Sequence, residues 1–338
     1  MTKRCIYVAY TGGTIGMQKT ETGCFAPVAG FLTTCVQSMP EFYHEEMPDF
    51  VIHEYDPLID SSNMAPTDWQ MIADDIRDNY DKYDGFVILH GTDTMAFTAS
   101  ALSFMLQGLS KPVIITGSQI PLAQLRSDGQ TNLLNALYIA ANYPIAEVGL
   151  FFNNKLFRGN RTTKAHADGF DAFASPNCPM LLEAGISIHL HEGKISHHLT
   201  SHLDVARMSP QPIGVITLYP GISTDIFNNI LQQPVKALII LTYGVGNAPQ
   251  VPELLEILRA ADERGIVVVN LTQCMQGTVN MGGYATGSSL ARVGVISGGD
   301  MTIEAALAKL HYLLSKDLTA AQIKLLMTQN LVGELTHA

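Results

Sequence analysis

The sequence predicts an α/β protein of two doubly wound, mostly parallel-sheet domains joined by a linker. Three observations carry this expectation. Short apolar runs rich in β-branched and aromatic residues alternate with longer helix-like runs. The alternation breaks once, at a stretch rich in His, Ser and Pro. At 338 residues the chain is also long for a single hydrophobic core.

In order along the chain, Ile6 to Ala9, Phe86 to Leu89, Val113 to Thr116 and Val148 to Phe152 are compact apolar runs and read as strands. Pro66 to Asn79, Met95 to Leu106 and Leu125 to Ala141 are long enough for helices and lie between or beside those strands. Strands separated by helices imply a mostly parallel sheet. The period is lost around Ile188 to Pro212. Beyond it, strands at Ile213 to Leu218, Ala237 to Leu241 and Ile266 to Leu271 alternate with helices at Pro252 to Glu263, Ile303 to Leu314 and Ala320 to Thr328. The expected division is an N-terminal α/β domain over residues 1–188, a linker over 189–212 and a smaller α/β domain over 213–338. No internal repeat is evident.

Composition narrows the function classes. An apolar content of 47% with 15% charged residues describes a globular enzyme with a large buried fraction. A net charge of −11 argues against nucleic acid or an anionic membrane surface as partner and suits a small-molecule substrate. The five cysteines, Cys5, Cys24, Cys35, Cys178 and Cys274, are scattered and odd in number, which is no disulfide framework. The N-terminal apolar run is too short for a signal sequence, and no run has the length of a membrane span, so a cytoplasmic location is expected. The linker holds five of the eleven histidines, His189, His191, His197, His198 and His202. No carboxylate or cysteine pattern with zinc-like spacing accompanies them, and the expectation is a solvated linker without metal.

Two stretches carry chemistry. Tyr10-Thr11-Gly12-Gly13-Thr14-Ile15-Gly16 and His90-Gly91-Thr92-Asp93-Thr94 each follow a buried strand, where an open α/β sheet places its ligands. Gly12 and Gly13 let backbone N–H groups approach a bound group, and Thr14 presents a hydroxyl beside them. Each stretch alone reads equally as a tight turn, with Thr14 as a cap and Asp93 and Thr94 capping the following helix. The pairing of the two favours a pocket with a threonine nucleophile, and a capping role does not exclude a catalytic one. Neither G-x-x-x-x-G-K-[ST] nor G-x-G-x-x-G occurs in these loops, and no G-x-S-x-G elbow is present.

Together the stretches resemble the bacterial L-asparaginase family. Val8 to Gly16 (VAYTGGTIG) is similar to its first signature and Gly85 to Met95 (GFVILHGTDTM) to its second. Phe157 to Asp168 (FRGNRTTKAHAD), Gly244 to Asn247 (GVGN) and Met281 to Gly287 (MGGYATG) resemble the cytoplasmic, type I branch. The resemblance implies hydrolysis of L-asparagine to L-aspartate and ammonia through a threonyl ester, without cofactor or metal. Carried over by position, Thr14 is the nucleophile, Lys164 the base, Thr92 its hydroxyl partner, and Asp93 the group beside them that receives the substrate's α-ammonium. Asp60, Ser61 and Ser62 resemble the segment that holds the α-carboxylate; from spacing alone they read as a loop opening the helix after Pro66. His90 reads as a hydrogen-bonded support of its loop.

The resemblance also implies a homodimer or a dimer of dimers, with Asn247 reaching a neighbouring subunit's pocket. One departure stands out: no tyrosine lies between Ile15 and Phe42, where many relatives carry one on a mobile loop. Tyr284, supplied by a neighbouring subunit, is the candidate replacement, against a plain structural role. Some type I relatives bind free asparagine at a second site through an arginine. The aligned position here is Leu241, beside the run Thr272, Gln273 and Cys274, so a weakened effector site is expected. Two other classes compete: a non-catalytic amino-acid sensor, and the asparaginase-like subunit of a tRNA-dependent amidotransferase, which the negative charge disfavours.

Overall fold

The computed structural model describes residues 3–20, 23–191, 202–283 and 285–336. It divides into two compact units, Met1–Ala206 and Arg207–Ala338.

The first unit is built on an eight-stranded sheet. Its parallel part runs Val148–Phe152, Val113–Thr116, Gly85–Leu89, Cys5–Tyr10, Asp49–Glu54 across the sheet. Gly85–Leu89, Val113–Thr116 and Val148–Phe152 are buried at every residue, as expected of strands covered on both faces. The chain passes from Cys5–Tyr10 to the Asp49–Glu54 edge and then returns to the other side of the first strand. That reversal opens a crevice at the carboxyl ends of Cys5–Tyr10 and Gly85–Leu89. Helices Pro66–Asn79, Met95–Met105 and Gly129–Asn142 fall where the sequence predicts helices. Met95–Met105 is buried almost all round, and its small residues let chain approach closely: a side chain added at Gly159 would meet Ala99.

Two features were not anticipated. The Asp49–Glu54 strand alternates exposed with half-buried residues, so it lacks the continuous apolar run of its neighbours. Beyond Val148–Phe152 the sheet also turns antiparallel, through Lys155–Arg158, Leu182–Ala184 and Ile188–Leu190. Asn153 and Asn154 form the hairpin turn between Val148–Phe152 and Lys155–Arg158, with φ of 47° and 64°. Asn tolerates that left-handed region better than other side-chain-bearing residues, and a two-residue turn of this hand matches strand twist.

The expected linker, residues 189–212, begins within structure. Residues 189 and 190 belong to the last strand, because Ile188 and Leu190 pack against the core of the first unit. Asp204–Val205 pairs with Leu106–Gln107. His189 and His191 are exposed, and His197 and His198 lie outside the described residues. Among the described residues no group of three or more His, Cys, Asp or Glu is placed to hold a metal, and no helix is long and apolar enough to cross a membrane.

The second unit holds a four-stranded parallel sheet in sequential order, Ile213–Thr217, Ala237–Thr242, Val267–Thr272 and Ile296–Ser297. Helices Thr224–Gln232, Pro252–Glu263 and Ala285–Arg292 connect successive strands, and Ile303–Leu314 and Ala320–Met327 follow. Leu238, Ile240 and Val268 form a core with Phe227, Leu231, Leu254 and Leu258 from the first two connecting helices.

Candidate active site

The crevice of the first unit is walled by loops that touch backbone to backbone. Gly13, at φ 93°, precedes the single turn Thr14–Gly16, and a Cβ built on it would lie 2.4 Å from the Gly91 nitrogen. A Cβ on Gly91 would in turn lie 2.3 Å from Ser61 Oγ. Three loops, after Cys5–Tyr10, after Gly85–Leu89 and around Ser61, therefore meet where only glycine fits. The Tyr10 hydroxyl donates to the Gly13 carbonyl at 3.3 Å and braces the turn from beneath. Thr14 is half-buried, and its hydroxyl makes no hydrogen bond among the described residues.

Thr92, Asp93 and Lys164 converge although Lys164 lies 72 and 71 residues beyond the first two. Lys164 Nζ donates to Thr92 Oγ1 at 2.9 Å and to Asp93 Oδ1 at 2.7 Å. The pair sits at the rim, with side-chain exposure of 21% for Lys164 and 62% for Asp93, so screening keeps its stabilising worth small while Asp93 remains open to a ligand. Ser62 Oγ donates to Asp93 Oδ2 at 3.4 Å, and Thr94 Oγ1 donates to the Ser61 carbonyl at 2.7 Å. Asp60 caps the short turn Ser61–Asn63 by accepting from the Ser62 N–H at 2.9 Å. The Asp60–Ser62 segment thus lies against the Thr92–Thr94 loop.

Sequence reasoning missed Gln119. It follows the Val113–Thr116 strand, and its Oε1 accepts from the Thr92 hydroxyl at 3.2 Å. Asp128, at the head of helix Gly129–Asn142, accepts from the Gln119 and Ile120 N–H groups and holds this loop in place. A contact across 27 residues between a glutamine and a threonine leaves no periodic trace in the sequence.

His90 is fully buried and supports the loop, as expected. Its Nδ1 lies 2.7 Å from the Gly91 carbonyl and its Nε2 lies 2.8 Å from Thr98 Oγ1, which accepts from Trp69 Nε1 at 3.1 Å. A carbonyl only accepts, so Nδ1 carries the proton and Nε2 accepts from Thr98. Desolvation lowers the His90 pKa to about 4, so the imidazole is neutral at neutral pH, and with Nδ1–H given to Gly91 and Nε2 accepting from Thr98 neither ring nitrogen is left for proton transfer in the crevice.

Stability depends on pH through His90. Its folded value of about 4 lies below the ordinary 6.5, so between these the unfolded chain binds a proton that the folded chain refuses. Stability is therefore greatest above about pH 6.5 and falls toward pH 4, by about 3 kcal/mol from this group. Urea unfolding at pH 7.5 and 5 measures it. The His90→Gln variant should lose this part of the slope; an unchanged slope would refute the assignment.

The remaining expected residues lie in the second unit. Asn247 closes a tight loop, its carbonyl and N–H both paired with Tyr243 at 3.0 and 2.8 Å. Tyr284 lies outside the described residues. Leu241 is in the Ala237–Thr242 strand, and its carbonyl accepts from Gln273 Nε2 at 2.9 Å. Gln273 Nε2 also donates to the Leu218 carbonyl at 2.8 Å, and Thr272 Oγ1 bonds the Gly244 carbonyl and the Cys274 N–H.

Residues 5–196 match the family "Asparaginase, N-terminal" and residues 212–327 match "Glutaminase/Asparaginase C-terminal domain". The chain is 68% identical over 336 residues to L-asparaginase 1 of Escherichia coli (strain K12), covering 99% of each. Among solved structures, L-asparaginase I from Vibrio cholerae O1 biovar eltor superposes with a TM-score of 0.93 at 65% identity, covering 99% of this chain and 100% of that one. The thermostable L-asparaginase from Thermococcus kodakarensis gives a TM-score of 0.88 at 31% identity, with 99% and 100% coverage. Matched by both domain families and by relatives along its whole length, the chain belongs to the asparaginase family.

Proposed function

We propose that this chain hydrolyses L-asparagine to L-aspartate and ammonia through a covalent ester on Thr14. The observation that carries the reading is the convergence of Lys164, Thr92 and Asp93 in the crevice where the Gly13–Thr14 loop abuts Gly91. Thr14 Oγ attacks the side-chain amide carbon, ammonia leaves with a proton, and water then cleaves the ester. Lys164 acts as base through the Thr92 hydroxyl, in the logic of a Ser–His–Asp triad. Backbone N–H groups of the Gly12–Thr14 and Gly91–Thr92 loops stabilise the oxyanion, each worth about 2.7–4 kcal/mol. Asp93 takes the α-ammonium as a charge-assisted hydrogen bond, and Asp60, Ser61 and Ser62 take the α-carboxylate. Nucleophile, base and oxyanion donors are all protein groups, so the proposed sequence has no metal or organic cofactor step.

Asparagine is preferred over glutamine by analogy with relatives named L-asparaginase, since one methylene changes specificity by only about 1–3 kcal/mol. A coupled ammonia assay tests the reading: turnover of asparagine that survives chelator and exceeds glutamine in kcat/KM is expected. No ammonia from asparagine would refute it. The rate should rise hyperbolically with asparagine. Leu241 offers no cation to a second asparagine, and the side chains of Thr272 and Gln273 are committed to backbone groups. A sigmoidal curve abolished by Thr272→Ala or Cys274→Ala would refute that. The proposed working form is a cytoplasmic dimer or dimer of dimers in which Asn247 and Tyr284 complete a neighbour's site. A fully active monomer by light scattering would contradict it.

A further inference from the structure

We propose that Gln119 is a positioning residue that locks the Thr92 hydroxyl, committing its proton to the Gln119 amide oxygen and leaving its lone pairs to Lys164. The direction of each hydrogen bond is fixed by what its partner can do. Gln119 Nε2 lies 3.0 Å from the Gly169 carbonyl and 3.3 Å from the Ala167 carbonyl, and both of those groups only accept. Flipping the amide would set its oxygen against two carbonyl oxygens, so the orientation is forced. Oε1 then faces Thr92 and takes the hydroxyl proton at 3.2 Å. With its proton spent, the Thr92 oxygen can only accept from Lys164 Nζ, at 2.9 Å. The backbone beneath is equally held, since both Asp128 carboxylate oxygens accept from the Gln119 N–H.

The consequence is mechanistic, and it rests on Lys164 acting as the base in the reading above. For Thr92 to pass a proton to Lys164, its hydroxyl must rotate off Gln119. The lock thus favours the amine that donates to Thr92 over the unprotonated amine that would accept from it. Bound substrate or the attacking water, arriving at Thr92, would compete for the same hydroxyl and release it. The titratable groups on the elements around Lys164 are Asp93 in contact, Asp128 behind Gln119, Asp60 on the adjoining loop, the buried neutral His90, and His166, Asp168 and Asp171 on the loop that follows Lys164. None of them lies between Gln119 and Thr92, whose atoms are in direct hydrogen-bond contact.

Two variants give opposite signs. Gln119→Met removes the acceptor, so Thr92 can donate to the unprotonated amine. The ascending limb of kcat/KM against pH should then move to lower pH by about half a unit. The turnover number should fall about threefold to tenfold, with KM for asparagine within about twofold, as the Thr92 rotor loses its fixed geometry. Gln119→Glu gives up the Nε2 donor to the Ala167 and Gly169 carbonyls but adds a negative charge near Lys164, so the limb should move to higher pH. A wild-type protein that releases no ammonia from asparagine would refute the underlying reading. An active wild type with both variant limbs on the wild-type curve would refute the lock alone. If the methionine variant does not fold, Gln119→Leu, which also removes the acceptor, still decides, because an unmoved or alkaline-shifted limb overturns the proposal.

Discussion

Thr14→Ala should lower kcat for asparagine by roughly 10⁴-fold or more while leaving the fold intact. The two halves of that expectation have separate grounds. A hydroxyl that forms the covalent intermediate has no substitute when it is removed, and what activity remains comes from binding and the oxyanion donors alone. The same hydroxyl makes no hydrogen bond among the described residues, and the side chain is only half-buried. Its loss therefore costs little stability, with a thermal midpoint shift of about 1–2 °C. Thr14→Ser keeps a hydroxyl at the site and should retain measurable turnover. Near wild-type turnover in the alanine variant would refute the threonyl ester. A collapse of the thermal midpoint would show that Thr14 is part of the scaffold.

Much of the parallel framework was legible because its strands are buried on both faces. Phe86 to Leu89 and Val113 to Ile115 are unbroken apolar runs, and the structure places strands there. The edge strand Asp49–Glu54 was not legible, since solvent on its outer side permits Asp49, His53 and Glu54 within it. The antiparallel extension did leave a trace, the Asn153–Asn154 pair between two apolar segments, which is a hairpin signal. In the site, Thr14, Thr92, Asp93 and Lys164 were reached through long signatures rather than through spacing. Lys164 illustrates the point: nothing local separates it from an exposed lysine, and only the fold brings it to Thr92. Gln119 had neither signature nor spacing to mark it. Its part depends on the directions of three hydrogen bonds, which exist only once the loops after two strands and the loop at residues 167–169 are assembled.

In the second unit, Lys309→Met should cost about 3–5 kcal/mol of stability, the typical penalty for breaking a buried ion pair. Lys309 and Glu334 are both fully buried, with Nζ and Oε1 2.5 Å apart. Burial pushes the Lys309 amine down and the adjacent Glu334 pulls it back up. Lys309, on helix Ile303–Leu314, also donates to the carbonyls of Met327 and Gln329, at and beyond the end of helix Ala320–Met327. Glu334 in turn accepts from the N–H groups of Leu331 and Val332, so the segment after that helix is wrapped around one carboxylate. Removing only the lysine takes the paired ammonium away from a fully buried carboxylate, which is the expensive half of the arrangement. A second change, Glu334→Gln, removes the buried negative charge while keeping an oxygen to accept from the backbone. The double variant should therefore be more stable than Lys309→Met alone, although each change by itself is destabilising. Urea midpoints for the four proteins of this cycle supply the measurement. Additive losses, with the double variant the weakest of the four, would show that the pair contributes packing and not charge compensation.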